Sequence, residues 1–121
     1  MIVKIALTTS GKSLDALVDS RFGRAPGFLI YDLETKTFSV IDNEQNQNAS
    51  QGAGIQAAET IVRSGVRALV TGHCGPKAFR VLSAAGIAVY TADGLTVAET
   101  LSRYVDGTLA EASAADVDGH W

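Results

Sequence analysis

The chain has little of what would link it to an oxidising compartment or to a membrane. It contains one cysteine and two prolines in 121 residues, and its longest apolar runs have only the length of a strand. One cysteine cannot form an intramolecular disulfide, so folding does not depend on oxidation. Runs of this length are too short to cross a bilayer, and no signal peptide is visible after Met1. We therefore expect a cytoplasmic protein that does not associate with membranes.

Positive charge is also scarce. Ten lysines and arginines against 13 acidic residues leave a formal net charge of −3, which offers no electrostatic reason for binding nucleic acid. Carboxylates are missing from the first predicted strand, where a two-metal nuclease with this kind of fold would need one. Nuclease activity is therefore not expected. The hydrophobic content of 46% is nevertheless enough to build a folded core.

The distribution of apolar residues predicts five strands. Each is a short apolar run rich in β-branched or aromatic residues, and the five segments are 2–8, 28–33, 37–42, 66–70 and 87–90. Only three polar residues, 34–36, separate the second segment from the third, which is the spacing of an antiparallel hairpin.

Three helices are predicted between and after the later strands. One begins near Ile55, one begins at Pro76, and one begins after the capping box Thr96-Val-Ala-Glu99. A glycine follows each helix, at positions 65, 86 and 107, as is common where a helix ends in a left-handed residue.

The order β-β-β-α-β-α-β-α predicts the topology. Crossover helices join the later strands, which should be parallel, and the first three strands should form an antiparallel meander. We therefore predict an α/β fold, a three-layer mixed five-stranded sheet of ribonuclease H-like type with strand order 3-2-1-4-5. A flavodoxin-like doubly wound sheet is the alternative, but the early hairpin counts against it. One domain is expected over residues 1–108, followed by a loosely held acidic tail over 109–121.

This topology places two polar loops side by side. The first and fourth strands are adjacent and parallel, and ligands of open α/β sheets bind at the carboxyl ends of strands where the order reverses. The loop after the first strand carries Lys12, Arg21 and Arg24, and the turn after the fourth carries His73 and Cys74. We expect these residues to lie near one another.

The turn Gly72-His73-Cys74-Gly75 has the composition of half a binding site. A helix N-terminus lowers the pKa of a thiol, so Cys74 should be partly thiolate and able to bind a soft metal, with His73 as a nitrogen ligand. Gly72 and Gly75 would allow close backbone approach. The alternative is that Cys74 packs as a small apolar residue.

Counting ligands limits the kind of metal site. Two histidines and one cysteine are too few for structural zinc or for an iron–sulfur cluster built on the protein. A preassembled cluster brings its own sulfides and needs only one or two protein ligands. The chain is therefore better suited to receive such a cluster than to assemble one.

The segment Asp19-Ser-Arg-Phe-Gly-Arg24 supplies two guanidinium groups suited to holding an anion. The alternative is a solvated loop in which Arg21 pairs with Asp19 or Asp15. The glycines of Gly52-Ala-Gly54 cap a helix or let the backbone approach a ligand. They lack the Lys-Ser/Thr of a P-loop, and no nucleotide is expected.

Two stretches carry a family resemblance. DSRFGRAPGFLIYDLE, residues 19–34, and GAGIQAAETIVRSGVRALVTGHCGPKAFRVLSAAGIAVY, residues 52–90, resemble the dinitrogenase iron–molybdenum cofactor biosynthesis family over roughly residues 1–106. The resemblance implies a ribonuclease H-like fold and binding of an anionic iron–sulfur-type cluster rather than catalysis. It carries binding positions over to Arg21, Arg24 and the turn from Gly72 through His73, Cys74 and Gly75.

The function expected from the residues and the resemblance together is that of a carrier or accessory protein. It would bind an iron–sulfur or iron–molybdenum-type cluster precursor in metallocluster biosynthesis, a process that serves nitrogen fixation in this family, and would exchange it with a cluster-donor or acceptor protein. His73 and Cys74 are the expected metal ligands. The alternatives are a small redox or thiol-dependent enzyme using Cys74, and a regulatory or interaction domain without a ligand.

Overall fold

The fold is built on one mixed sheet with helices on both faces. The computed structural model of the chain describes residues 4–43 and 52–112. The strands are Lys4–Thr9 (β1), Gly27–Asp32 (β2), Thr37–Asp42 (β3), Ala68–Thr71 (β4), Ala88–Thr91 (β5) and Ala110–Glu111 (β6). The helices within those ranges are Ala53–Arg63 (α1), Pro76–Ala84 (α2) and Val97–Asp106 (α3).

The strands lie in the order β3-β2-β1-β4-β5-β6. β1 pairs antiparallel with β2 and parallel with β4, β2 pairs antiparallel with β3, and β4 pairs parallel with β5. The predicted order of the first five strands and their directions are therefore confirmed. The ribonuclease H-like assignment and the domain limits at 1–108 stay predictions.

The prediction of five strands was wrong, because a sixth strand lies in the segment expected to be a loose tail. Gly107 adopts a left-handed conformation with φ 75° at the end of α3, which turns the chain back toward the sheet. Ala110 and Glu111 then pair antiparallel with β5, and the Ala112 N–H donates to Val89 O at 2.8 Å. The rest of the predicted tail, 113–121, lies outside the described residues.

Alternate residues of the central strands enter two separate cores. On one face, Ala6 and Leu69 pack with buried residues of α1 and α2, such as Ile61 and Leu82. On the other face, sheet residues including Ile5, Leu7 and Val70 pack with Val97 and Leu101 of α3. β1 is buried on both faces, as its continuous apolar sequence predicts. The three layers follow from this arrangement.

No helix in the described ranges is long and apolar enough to cross a membrane. The cytoplasmic location stays a prediction.

The predicted capping box at the start of α3 is present, and it gives a test of the helix. Thr96 Oγ1 accepts from the Glu99 N–H at 3.1 Å, and Glu99 Oε1 accepts from the Thr96 N–H at 3.0 Å. The hydrogen bond from the Thr96 N–H is the largest cause that lowers the pKa of the Glu99 carboxyl. We expect Thr96→Ala to reduce the free energy of unfolding by about 1 kcal/mol, because an N–H loses its partner. Urea denaturation measures the change. Ser102→Ala on the exposed side of α3 is the control, and an equal loss in both variants would contradict the assignment.

Candidate functional site

A cavity of about 610 Å³ opens beside the carboxyl ends of β1 and β4. Three segments line it. The loop after β1 contributes residues 20–23, the start of α1 contributes Gly52, Gly54 and Ile55, and the turn from β4 into α2 contributes His73 and residues 75–78. Residues that are far apart in the sequence therefore form one concave surface at the position where the strand order reverses.

The first loop and the β4–α2 turn are joined by backbone contacts. Arg21 and His73 form an isolated parallel bridge. The Phe22 N–H donates to His73 O at 3.1 Å, and the Gly72 N–H donates to Asp19 O at 3.4 Å. The predicted approach of these two loops is confirmed.

Two glycines make this approach possible. A Cβ added at Gly72 would lie 2.5 Å from Ser20 Cα, and one added at Gly23 would lie 2.9 Å from Gly54 N. Both distances are well below van der Waals contact and involve backbone atoms, which cannot rotate away. Gly72 therefore lets the loop meet the β4–α2 turn, and Gly23 lets it meet the start of α1.

Buried threonine hydroxyl groups at the ends of β1 and β4 fix the position of the loop that follows β1. The Thr8 hydroxyl donates to Asp19 O at 2.7 Å and lies 3.0 Å from Thr71 Oγ1. Thr8 and Thr71 are fully buried at the ends of β1 and β4. A buried hydroxyl is stable only when its hydrogen bonds are made, so these contacts fix the loop relative to the sheet.

Two helix N-termini begin at the cavity. Gly52 is the N-cap of α1 and Gly75 that of α2, and neither helix has a side-chain cap or an acidic residue in its first turn. Uncapped N–H groups and the helix dipole make such ends electropositive. Arg21 and Lys77 add positive charge, and no acidic residue of the described ranges lines the cavity. The arrangement favours an anion.

Comparison with known proteins identifies the family of the chain. Residues 1–107 match the family model described as dinitrogenase iron-molybdenum cofactor. The chain belongs to the dinitrogenase iron–molybdenum cofactor family. An uncharacterised protein of Methanocaldococcus jannaschii is 32% identical over 111 residues, which cover 89% of this chain and 90% of the relative.

Two solved structures of similar proteins share the fold over nearly their whole length. The apo form of the orange protein from Desulfovibrio gigas has a TM-score of 0.90 and 46% identity, with 93% of this chain and 95% of that chain covered. A Thermotoga protein described as a candidate NifB protein has a TM-score of 0.79 and 34% identity, with 91% and 93% covered. The family resemblance stated from the residues is thereby confirmed.

The environment of Cys74 in this family member differs from the prediction. Its side chain is 3% exposed and packs in the core beneath α1 and α2. Burial raises the pKa of the Cys74 thiol to about 12. The expectation of a partly ionised thiol was wrong, because removal from water disfavours the thiolate more than the nearby helix N-terminus favours it. Cys74 is not among the residues lining the cavity.

The predicted arginines and lysine are placed differently from one another. Arg21 lines the cavity, and its side chain is 61% exposed and lies 3.4 Å (Nε) from Asp19 Oδ1. The Asp19 carboxylate also accepts from the Arg21 N–H at 2.8 Å. The ion pair considered as an alternative therefore exists, at the rim of the cavity.

Arg24 does not line the cavity. Lys12 lines a second cavity with Pro26 and Asp42 and is not among the residues that line the cavity of His73.

Lys77 was not predicted to be a site residue. The glycines at the start of α1 were expected to cap a helix or to approach a ligand, but the lining of the cavity was not predicted there. Lys77 is the second residue of α2, and its side chain joins Arg21 and His73 around the cavity. The sequence could have indicated this position, because a lysine directly after Pro76 falls in the first turn of the predicted helix. No group of three or more potential metal-binding side chains occurs in residues 4–43 and 52–112.

The Gly72 contact predicts a matched pair of substitutions. Gly72→Ala should lower the free energy of unfolding by about 1–3 kcal/mol, because the new methyl group meets the Ser20 backbone. Gly75→Ala should lower it by only about 0.5–1 kcal/mol, the cost of alanine at an N-cap, since nothing lies within 4 Å and the backbone is extended there. Chemical denaturation measures both values. Equal effects would mean that the loop does not depend on the close approach.

The buried thiol predicts slow alkylation. At pH 8 the native chain should react with iodoacetamide at least about a hundredfold more slowly than the urea-unfolded chain, because the reactive thiolate is disfavoured by burial. The raised folded pKa has a second consequence. The buried, protonated Cys74 thiol contributes its full share of the folding stability below about pH 8.5, the pKa of the thiol in the unfolded chain. This contribution is lost as the pH rises toward the folded pKa of about 12. Similar alkylation rates for native and unfolded protein would show that Cys74 is accessible.

Proposed function

We propose that the protein is a carrier or accessory protein that binds a preassembled, anionic iron–sulfur or iron–molybdenum-type cluster precursor as its cargo. The observation that carries the proposal is the convergence of two uncapped helix N-termini with Arg21, His73 and Lys77 around one open cavity. The family supports a role in cofactor biosynthesis. The similar protein from Desulfovibrio gigas was solved as an apo form, a term for a protein without its ligand.

The chemistry of the cavity suits an anion with sulfide or oxide atoms on its surface. Such atoms accept hydrogen bonds from backbone N–H groups at the starts of α1 and α2, and positive side chains balance the remaining charge. Ile55 and Pro76 provide apolar contact with polarisable sulfide. Gly54 and Gly75 leave the backbone uncovered, so a large cluster could approach the amides closely.

His73 and Cys74 have different places in the proposal. His73 is exposed at the cavity and is the proposed nitrogen ligand or hydrogen-bond donor to the cargo. Cys74 would reach the cargo only if its packing in the core were opened, so we assign it to positioning the turn. Gly72 supports the binding loops from outside the lining of the cavity through its close approach to Ser20, and Arg24 lies in the first loop, also outside the lining. Transfer to or from a cluster-donor or acceptor protein completes the proposed role.

The two alternative functions have less support. A thiol-dependent enzyme needs an accessible, ionised cysteine, whereas burial raises the pKa of Cys74 to about 12. A domain without a ligand would be favoured by a crevice filled with side chains, whereas the space between the loop and the helices is open.

Anaerobic loading tests the proposal directly. The wild-type chain, mixed with a small-thiolate iron–sulfur cluster and desalted, should retain iron and visible absorption. Arg21→Gln and Lys77→Gln should each weaken retention about tenfold, corresponding to about 1.4 kcal/mol, because each removes one charge from the cavity. Lys12→Gln removes the same charge from the second cavity and should have no effect.

Two results would contradict this assignment. One is a wild-type chain that retains no iron, and the other is equal retention by the Arg21, Lys77 and Lys12 variants. The same assay distinguishes the role of His73 from that of Cys74. His73→Ala should weaken retention, whereas Cys74→Ala should change it less than about twofold in protein shown by circular dichroism to be folded.

A further inference from the structure

The two helices beside the cavity carry a concentration of positive charge. Residues 52–86 contain four cationic side chains and one acidic side chain, although the whole chain has a formal net charge of −3. All five are exposed, and they are Glu59, Arg63, Arg67, Lys77 and Arg80. Within the described ranges none of these four cations forms an ion pair, in contrast to Arg21. No described acidic side chain therefore neutralises this charge by direct contact.

The opposite face of the sheet has the reverse charge. α3 packs on that face, and residues 93–106 hold three exposed acidic side chains and one exposed arginine, Arg103. Charges of the two signs are thus separated across the sheet, with α1 and α2 on the positive side. The field of a negatively charged partner orients such a molecule, because the α1 and α2 side is attracted and the α3 side is repelled.

Exposed apolar side chains lie among the cations. Ile55 and Val62 of α1 are each 38% exposed, and their separation of seven residues places them on one side of the helix. Ile55 also lines the cavity together with Lys77. Arg63 follows Val62 directly, and Arg80 lies one turn after Lys77 in α2. Because α1 and α2 pack against each other, these five residues belong to one surface, here called the α1–α2 surface, which extends from the mouth of the cavity.

We propose that the α1–α2 surface docks an acidic protein, which donates or accepts the cargo at the mouth of the cavity. The role of that protein as donor or acceptor rests on the proposed function, whereas its docking does not. The arrangement is that of a protein–protein interface, in which an apolar centre is surrounded by a polar rim. Cations at the rim attract a partner with carboxylates and repel one with positive charge. The partner surface therefore carries carboxylates around a small apolar centre.

Other occupants fit this surface less well. The acidic α3 face of a second copy has the right charge, but contact between two different faces joins molecules head to tail and does not close into a dimer. Nucleic acid offers phosphate charge without an apolar patch for Ile55 and Val62. Helices that bind anionic membranes have a larger apolar face and a denser cluster of cations.

Nuclear magnetic resonance titration of the full chain, without cargo, tests the proposal. The probe is a synthetic peptide in which glutamates flank two central leucines, and the control peptide has lysine in place of each glutamate. The acidic peptide should shift the backbone amide signals of α1 and α2 and not those of α3. The lysine peptide should leave the α1 and α2 signals unchanged. Raising the salt concentration from about 50 to about 300 mM should weaken binding of the acidic peptide at least about threefold, because salt screens exposed charges.

Charge substitutions separate the α1–α2 surface from the rest of the chain. Arg63→Glu and Arg80→Glu should each weaken binding about threefold to tenfold, because each removes an attraction and adds a repulsion. Arg103→Glu makes the same change on α3 and should have no effect. Glu59→Gln removes the one acidic side chain from the outer side of α1 and should strengthen binding about twofold.

A matched pair of valines tests the apolar centre. Val62→Gln should weaken binding of the acidic peptide, whereas Val105→Gln, the same change at an exposed valine of α3, should not. Circular dichroism checks that every variant is folded. Equal effects of the two substitutions would contradict the assignment of Val62 to the interface.

Several outcomes overturn the proposal. They are an acidic peptide that does not bind, one that shifts α3 instead, and equal binding by the wild type and the Arg63 and Arg80 variants. Phosphatidylserine vesicles or a DNA oligonucleotide that bind more tightly than the peptide would assign the surface to lipid or nucleic acid. Sedimentation of the wild-type chain as long oligomers would assign it to the α3 face of a second copy.

Failure of the proposed function gives a different result. Arg63 and Arg80 do not line the cavity, so their glutamate variants should retain iron as the wild type does. A wild-type chain that binds the acidic peptide but retains no iron would contradict the carrier role and leave the docking surface in place. A chain that retains iron but does not bind the peptide would overturn the docking surface alone.

Discussion

The close approach of the first loop to the β4–α2 turn is the constraint on which the site depends. Gly72 allows the Ser20 backbone to lie where a Cβ would otherwise be, and the bridge between Arg21 and His73 follows from that contact. The Thr8 hydroxyl, buried at the end of β1, holds the same loop through Asp19 O. Without this contact the cavity would lose one of its three walls.

The sheet topology explains why the contact lies where it does. β1 and β4 are parallel neighbours, so the loops that follow them leave the sheet at the same edge. α1 and α2 pack together on one face, which brings their N-termini to that edge as well. Positive ends of helices, cationic side chains and uncovered glycine backbone then meet in one place. Each contribution is small, but their common direction makes the cavity electropositive.

Much of this arrangement could be predicted from residue patterns. Continuous apolar runs identify the central strands because both faces of the sheet are covered, and the Thr96–Glu99 capping box locates the start of α3. The proximity of Arg21 to His73 needs only the strand order. Predictions that depend on side-chain direction were less successful. Cys74 turns into the core, Lys12 lies at another cavity and Lys77 joins the site.

The sequence by itself determined the order of the first five strands, the positions of the helices and the family. These follow from local periodicity and from short motifs, which neighbouring residues specify. Only the tertiary structure decided which side of the β4–α2 turn each side chain occupies and that residues 110–111 join the sheet as β6. Those outcomes depend on packing between distant segments, because burial and ionisation at Cys74 are set by α1 and α2 above it rather than by its neighbours in the chain.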